Sequence, residues 1–458
     1  MSVGGRECVT VFQPGFALTR VRSAGGVTSP LSTRVLPNRT SGDRDVNQPR
    51  ETAQREIDPE RNHHCESRGG GSGWSLAGTP QDYVLGHVRA VLPDRVTDDS
   101  RIVVRGGRIE AVEDHLAGAS CDVDGGGLLC IPGLIDVHSD ALERERAPRP
   151  SAVLPWDFAL LSLEGKLSAA AVTTVFHGAA FQHKTARGTE RTVGGAAELC
   201  EAVRARGAGP VDHRVLHRLD VRSEEGAKAL AAELASAEAG ALVSHEDHTP
   251  GIGQYVDRRQ MERYLVGADG LTPEEAEQHV TDMIAERGEL LDVREENLAW
   301  LGELARSGRI RLLGHDPESA EEIGALCTRG GSVAEFPTTT AAALAAREHG
   351  LPVVAGAPNV LRGHSHAGNV SARELAARGL VTALASDYLP SGLLAAVFRL
   401  VDDLGLPAAI GLVTSGPAEV AGLTDRGRLE PGLRADLALV DPGGRWPLVR
   451  AVLPGGAA

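Results

Sequence analysis

Lysine is nearly absent from this 458-residue chain: Lys166, Lys184 and Lys228 stand almost alone among 47 basic residues, the rest being arginine. Aromatic residues are scarce too, at 3%, so the core must be built mainly from Ala, Val and Leu, and the 42% apolar content is enough for a large one. The six cysteines (8, 65, 121, 130, 200 and 327) show no C-x-x-C spacing. That pattern argues against a disulfide framework and points to free thiols in a reducing, cytoplasmic setting. No stretch of about 18 apolar residues is present, which excludes a helical membrane span. Positive charge is in deficit: the formal net charge of −15 disfavours non-specific nucleic-acid binding, so an anionic ligand would need a local arginine cluster. The start lacks an apolar h-region with a small-residue cleavage site, which argues against a secretory signal.

Residues 1–81 are rich in Arg, Ser, Thr, Gly and Pro and lack sustained periodicity, so they read as a disordered leader. Order is expected from Asp82. Val84–Val91, Arg101–Val104 and Arg108–Val112 read as short strands with a Gly106-Gly107 turn, and Ala435–Val440 reads as a strand near the other end. These pieces predict one small β-sandwich domain made from both flanks, 82–130 and 425–458. Between them, 131–424 alternates strand and helix. Strands are expected over 131–138, 172–177, 213–219, 240–246, 309–315, 331–336, 352–356 and 381–386, which predicts an α/β fold, a (β/α)8 TIM-like barrel. A polar helical insertion over about 257–306, with Leu291, Leu298, Leu301 and Leu304 on its buried face, reads either as a lid or as a structural or oligomer-forming decoration.

The stretch Ile131-Pro-Gly-Leu-Ile-Asp-Val-His-Ser-Asp140 sets the chemistry. Residues i and i+2 of a strand share a face, so His138 and Asp140 project together as a nitrogen and an oxygen donor for a divalent cation of the zinc, iron or manganese type. Other strand ends carry similar residues: His177 and His183, His213 and His217, His245, Asp247 and His248, His315 and Asp316, Glu335, Asn359 and Asp387. With His364 and His366, ten of the 16 histidines fall at or just past such ends. In a barrel these ends form the catalytic face. Asp387 is placed to touch a metal and accept a proton from its bound water, or else to cap the next helix. No lysine stands where a carboxylated lysine would bridge two metals, so a bridging acid would be Asp247, Glu335 or another. The loop Gly356-Ala-Pro-Asn359 through Arg362-Gly-His-Ser-His-Ala-Gly-Asn369 suits an anion, and Arg144, Arg146 and Arg149 add positive charge nearby.

These motifs resemble a known family. Pro132–Asp140, followed by Ala141-Leu-Glu-Arg144 and Pro148-Arg-Pro150, is similar to the first-strand signature of the amidohydrolase superfamily. With Asp247-His-Thr-Pro-Gly251, Ala334-Glu-Phe-Pro-Thr-Thr339, Gly356-Ala-Pro-Asn359, Arg362-Gly363 and Ser386-Asp-Tyr388, it resembles the PhnM-type diphosphatases of the carbon–phosphorus lyase pathway over residues 82–441. The resemblance implies one or two divalent metal ions. It implies hydrolysis of α-D-ribose 1-methylphosphonate 5-triphosphate to the 5-phosphate and diphosphate, in phosphonate catabolism. His138, Asp140 and Asp387 carry over as metal residues, with Asp387 also catalytic, and His217, His248, His315 and Glu335 as further metal residues. Arg362, Asn359, Gly363, Ser365, His366 and Asn369 are the expected substrate-binding residues. The partner is then a phosphorylated ribose phosphonate, with no nucleic acid and no membrane, and a homo-oligomer is possible. Two other readings are an amidohydrolase acting on a non-peptide C–N bond and a non-catalytic scaffold in a phosphonate-processing complex. The anion-suited loop favours phosphate over the first, and the retained His138, Asp140 and Asp387 argue against the second.

Overall fold

The computed structural model describes residues 78–455, apart from 150, 183, 187, 188 and 366. The expected leader falls almost wholly outside them, as does His366. Strands β1 (Tyr83–Ala90), β2 (Ser100–Arg105) and β3 (Arg108–Asp114) form an antiparallel meander. Gly106 and Gly107 both take positive φ at its tight turn, where a side chain would be strained. Strands β4 (Val123–Asp124) and β5 (Leu129–Pro132) then run parallel to β1.

The expected strand over 131–138 is in fact two strands. Pro132 ends β5 in the small sheet, and β6 (Leu134–Ser139) starts the barrel after the single residue Gly133. A Cβ on Gly133 would lie 2.2 Å from Thr173 Oγ1, so only glycine fits where the chain passes from one sheet to the other. After β6 come β7 (Val172–Phe181), a hairpin of β8 (Lys184–Ala186) and β9 (Thr189–Arg191), then β10 (Asp212–Asp220), β11 (Ala241–Glu246), β12 (Ile310–His315), β13 (Val333–Glu335), β14 (Val353–Gly356) and β15 (Ala383–Ala385). Strands β6, β7 and β10–β15 form one eight-stranded parallel sheet, and a parallel bridge from Ser139 to Asp387 closes the first strand on the last. All eight expected strands are therefore present, in a (β/α)8 barrel. Ile135, Val137, Phe176, Leu216, Leu242, Leu313, Val333 and Val354 fill its interior.

The chain returns to the small sheet through β16 (Leu437–Asp441), which pairs antiparallel with β5, and β17 (Leu448–Leu453). Tyr83, Leu85, Ile102, Ile109, Cys130, Leu437 and Leu439 bury a second, separate core there. Both flanks thus make one domain, as expected. Among the described residues no helix is long and apolar enough to cross a membrane.

The insertion is shorter than expected. Helix Leu291–Arg306 belongs to the barrel's outer layer, where Leu298 and Leu301 are buried, while Leu291 is 52% exposed. The excursion proper holds helices Arg258–Ala268 and Pro273–Gly288, packed on their own cluster of Met261, Leu265, Ala276 and Val280. A capping box at Thr272 and Glu275 with Pro273 at the first turn starts the second helix.

Candidate active site

Strand alternation decides which strand-end residues meet. On β10, Leu216 joins the barrel interior, so Arg218, two residues on, also points inward, and the histidines at 213 and 217 point out. On β11, Leu242, Ser244 and Glu246 point inward and His245 outward by the same rule. A break in register between Asp136 and Ser139 lets His138 reach the mouth although Val137 faces the core.

The centre of the inward group is Glu335, fully buried at the end of β13. His138 Nδ1 donates to its Oε1 at 2.8 Å, His315 Nδ1 to its Oε2 at 2.7 Å, and Ser244 Oγ to Oε2 at 2.6 Å. Both rings are therefore locked with Nε2 free to face a cation. His138 Nε2 lies 3.8 Å from Asp140 Oδ1, and donor atoms of His138, Asp140 and Asp387 cluster within 4.8 Å of one another. His248, His315 and Asp316 form a second such group. Asp387 sits at φ 55°, and its backbone is clamped by two bonds: its N–H donates to the His138 carbonyl at 3.0 Å, and its carbonyl accepts from the Asp140 N–H at 2.6 Å. It does not cap the next helix, which begins at Gly392 behind Ser391. Beneath the clamp, buried Asp136 accepts from Ser386 N–H at 3.0 Å and Ser386 Oγ at 2.5 Å.

The electrostatics follow from burial and charge together. Burial raises the Asp387 carboxyl above its usual range, and the charge of Asp140 adds to this. Burial opposes the charge on His315, yet Asp316, Glu335 and Glu246 hold its pKa up at about 10. Burial lifts Asp316 to about 6. Burial likewise opposes ionisation of Glu246, but Arg218 brings it down to about 2.

Does this set of residues suit a metal? Glu246 Oε2 and Asp316 Oδ2 are buried with no hydrogen-bond partner. Their nearest histidine nitrogens stand at 3.7 Å for His248 Nδ1 and 3.4 Å for His315 Nε2, too long for good hydrogen bonds. Orphaned buried carboxylate oxygens beside imidazoles fit divalent cations.

A cavity of about 670 Å³ opens above these groups. His138, Asp140, His248, His315 and Asp387 line it, as do Arg362, Asn359, Ser365 and Asn369 from the expected substrate loop. Tyr255, just before the insertion, and Met261 and Tyr264 within it also line the cavity. Arg362 donates to the Tyr388 hydroxyl, and Arg144 lies over the Tyr388 ring at 5.1 Å.

Several expectations are not met. His217 is outside the cavity: its Nδ1 donates to the Leu242 carbonyl at 3.0 Å on the outer face, and burial holds its pKa below the ordinary value. Glu335 is not among the residues lining the cavity, but its carboxylate groups with His138 and His315 as a further set that could hold a cation, so it keeps its place among the candidate metal residues. Asp247, a candidate bridging acid, turns away to Arg222, Arg287 and Arg294. Asn359 reaches the cavity, but its amide donates to the Val370 carbonyl and accepts from the Ala372 N–H, so it braces the loop. Gly363 is a left-handed helix cap at φ 80° and is not among the lining residues.

Sequence reasoning overlooked Arg218, which bridges Asp140 at 2.5 Å and Glu246. It also overlooked Arg191, which holds Asp140 at 3.0 Å and Glu143 at 2.7 Å. The available signal was alternation: Arg218 and Glu246 fall in step with the apolar Leu216 and Leu242. A Cβ on Gly178 would sit 2.7 Å from Asp140 Oδ1 and 2.9 Å from Arg218 Cδ, so this glycine makes room for the pair.

The chain is 35% identical over 367 residues to the α-D-ribose 1-methylphosphonate 5-triphosphate diphosphatase of Escherichia coli (strain K12), covering 78% of this chain and 94% of that one. Two solved structures share the fold. One is a prolidase complexed with N-methylphosphonate-L-proline, with TM-score 0.52 and 14% identity over 82% of this chain and 98% of that one. The other is an enamidase of the amidohydrolase superfamily, with TM-score 0.50 and 16% identity over 82% and 95%. No family model matches the sequence.

Proposed function

Because the chain belongs to the family of the Escherichia coli α-D-ribose 1-methylphosphonate 5-triphosphate diphosphatase, within the amidohydrolase superfamily, we propose that it releases diphosphate from that same ribose triphosphate. It is a hydrolase on a barrel scaffold, and the reaction is a step of phosphonate breakdown. The observation that carries the reading is the layering of one cavity. Nitrogen and carboxylate donors of His138, Asp140 and Asp387 lie deep in it, and exposed Arg144 and Arg362 stand about Tyr388 at its rim.

Divalent cations held by His138, Asp140 and Asp387 on one side and by His248, His315 and Asp316 on the other would supply Lewis-acid activation of water and phosphate oxygens. Glu335 orients the two histidines. Asp387, fixed by its clamped backbone, takes the proton of the attacking water. The water oxygen bonds to phosphorus, the adjoining bridging P–O bond breaks, and its electron pair leaves with diphosphate. Arg362 and Arg144 hold the triphosphate by charge-assisted contacts that a neutral amide does not offer. Arg218 and Arg191 neutralise Asp140, Glu143 and Glu246 and so keep the acidic floor from repelling the anion.

The test compares wild type and Arg362→Ala on a ribose 5-triphosphate and on a neutral cyclic amide, with diphosphate quantified. The expected result is diphosphate release by the wild type and a raised KM in the variant, with kcat changed less. Hydrolysis of the amide alone, insensitive to Arg362, would overturn the reading in favour of a C–N hydrolase.

A further inference from the structure

Behind the catalytic barrel wall, a second set of metal-type donors meets where nothing in the proposed reaction uses them. Cys200 lies on helix Val193–Arg206, His217 on the outer face of β10, and Glu233 on helix Glu224–Ser236. One ligand-type atom from each falls within 4.8 Å of the other two. Cys200 is fully buried, His217 is 4% exposed, and the Glu233 side chain is 11% exposed.

We propose that Cys200, His217 and Glu233 form a second, structural divalent-cation site of the zinc class, separate from the catalytic cavity. The argument rests first on donor chemistry. A thiolate, an imidazole and a carboxylate together select a borderline-soft cation, whereas the two candidate metal groups of the cavity described above offer only nitrogen and oxygen donors. It rests next on ring orientation. His217 Nδ1–H is committed to the Leu242 carbonyl at 3.0 Å, which fixes the tautomer and leaves the Nε2 lone pair for a metal. A backbone carbonyl behind a ligating histidine is a recurring second support of zinc sites. Geometry comes third. Donors of a tetrahedral zinc site stand roughly 3.5 Å apart, and these three atoms already lie within 4.8 Å of one another, which leaves room for water as fourth ligand. Glu233 is held in the apo protein by Arg204, whose side chain is 52% exposed and can swing into solvent when a cation takes its place. On binding, the Cys200 thiol loses its proton to solvent and the cation takes the sulfur lone pair. The bound ion would staple two outer helices to the strand that carries Arg218 on its opposite face.

The experiment uses the full chain. Purified protein is stripped with a chelator and reloaded with cobalt(II) or, in a parallel sample, with zinc, and thiolate-to-cobalt charge-transfer absorption and zinc content are recorded for wild type and Cys200→Ser. The expected result is such absorption in the wild type and its loss in Cys200→Ser, with zinc content after reloading lower by about one ion per chain in the variant. Diphosphate release should persist, because Cys200 is not among the residues that line the cavity. Wild-type protein without the absorption, or a variant that keeps it together with the full zinc content, would overturn the proposal. If Cys200→Ser fails to fold, His217→Gln is read in its place against the same wild-type spectrum.

Discussion

Arg218→Met is the perturbation with the largest consequence that the geometry allows to be worked out. The guanidinium is buried, its side chain 5% exposed, between Asp140 at 15% and Glu246 at 1%. Met preserves most of the volume, so the main effect is electrostatic: two buried carboxylates lose their shared counter-charge. Removing one partner of a buried ion pair costs about 3–5 kcal/mol. For a folded body of roughly 380 residues the unfolding entropy is about 0.8 kcal/mol per kelvin, so Tm should fall by about 4–6 °C. The assay is scanning calorimetry on chelator-treated protein, repeated with added zinc or manganese. Asp140 and Glu246 border the metal groups, so a cation can replace the missing charge. At about 100 times its Kd a ligand adds about 2.7 kcal/mol, enough to narrow the gap between variant and wild type by about half if the variant binds the more tightly. A Tm within about 1 °C of wild type in the stripped protein would refute the claim that Arg218 holds the two acids together.

Asp387→Asn keeps the side chain's shape and removes its basic group, so kcat should fall by about 10²–10⁴-fold with a smaller change in KM; near-normal turnover in a steady-state assay would exclude it as the proton acceptor. The far end of the barrel gives a pH prediction. Burial opposes the charge of Asp212, but Arg214 and Arg426 outweigh it and hold the carboxyl below its ordinary value. A depressed folded pKa adds stability that is fully present above the unfolded value of about 3.9 and is lost as pH falls through the folded one. The Tm gap between wild type and Asp212→Asn, read from melting curves between neutral and strongly acidic pH, should therefore shrink at the acid end, and a constant gap would contradict it.

The barrel was legible because most of its strands carry an apolar stretch, such as Val353-Val-Ala355 and Ala383-Leu-Ala385, and the intervening helices carry clear caps such as Ser223 and Thr192. The direction each strand-end residue faces was much harder to read. His213, His217 and His245 sit in the right places along the chain but one residue out of step with the interior residues Leu216 and Leu242, and alternation was the one sequence signal of that. His138 shows the converse: a register irregularity, invisible in one sequence, turns it into the mouth. Asp247 looked like a ligand because its partners Arg222, Arg287 and Arg294 lie elsewhere in the sequence, one of them at the end of the insertion and one just beyond it. Gly363 and Asn359 were found as loop residues, yet their work is to shape the loop: one by a left-handed cap, the other by bracing both of its sides.

The seam where Ser139 meets Asp387 has a bearing on the birth of the molecule. The first and last barrel strands are separated by almost the whole barrel sequence, and the hydrogen bonds between His138, Asp140 and Asp387 join them. Such distant pairings form late, since the intervening chain must first be gathered. A ribosome-bound chain that has not yet released residue 387 therefore holds His138 and Asp140 without their third companion. On the proposed mechanism, hydrolytic competence arrives only with ring closure, when Asp387 joins His138 and Asp140.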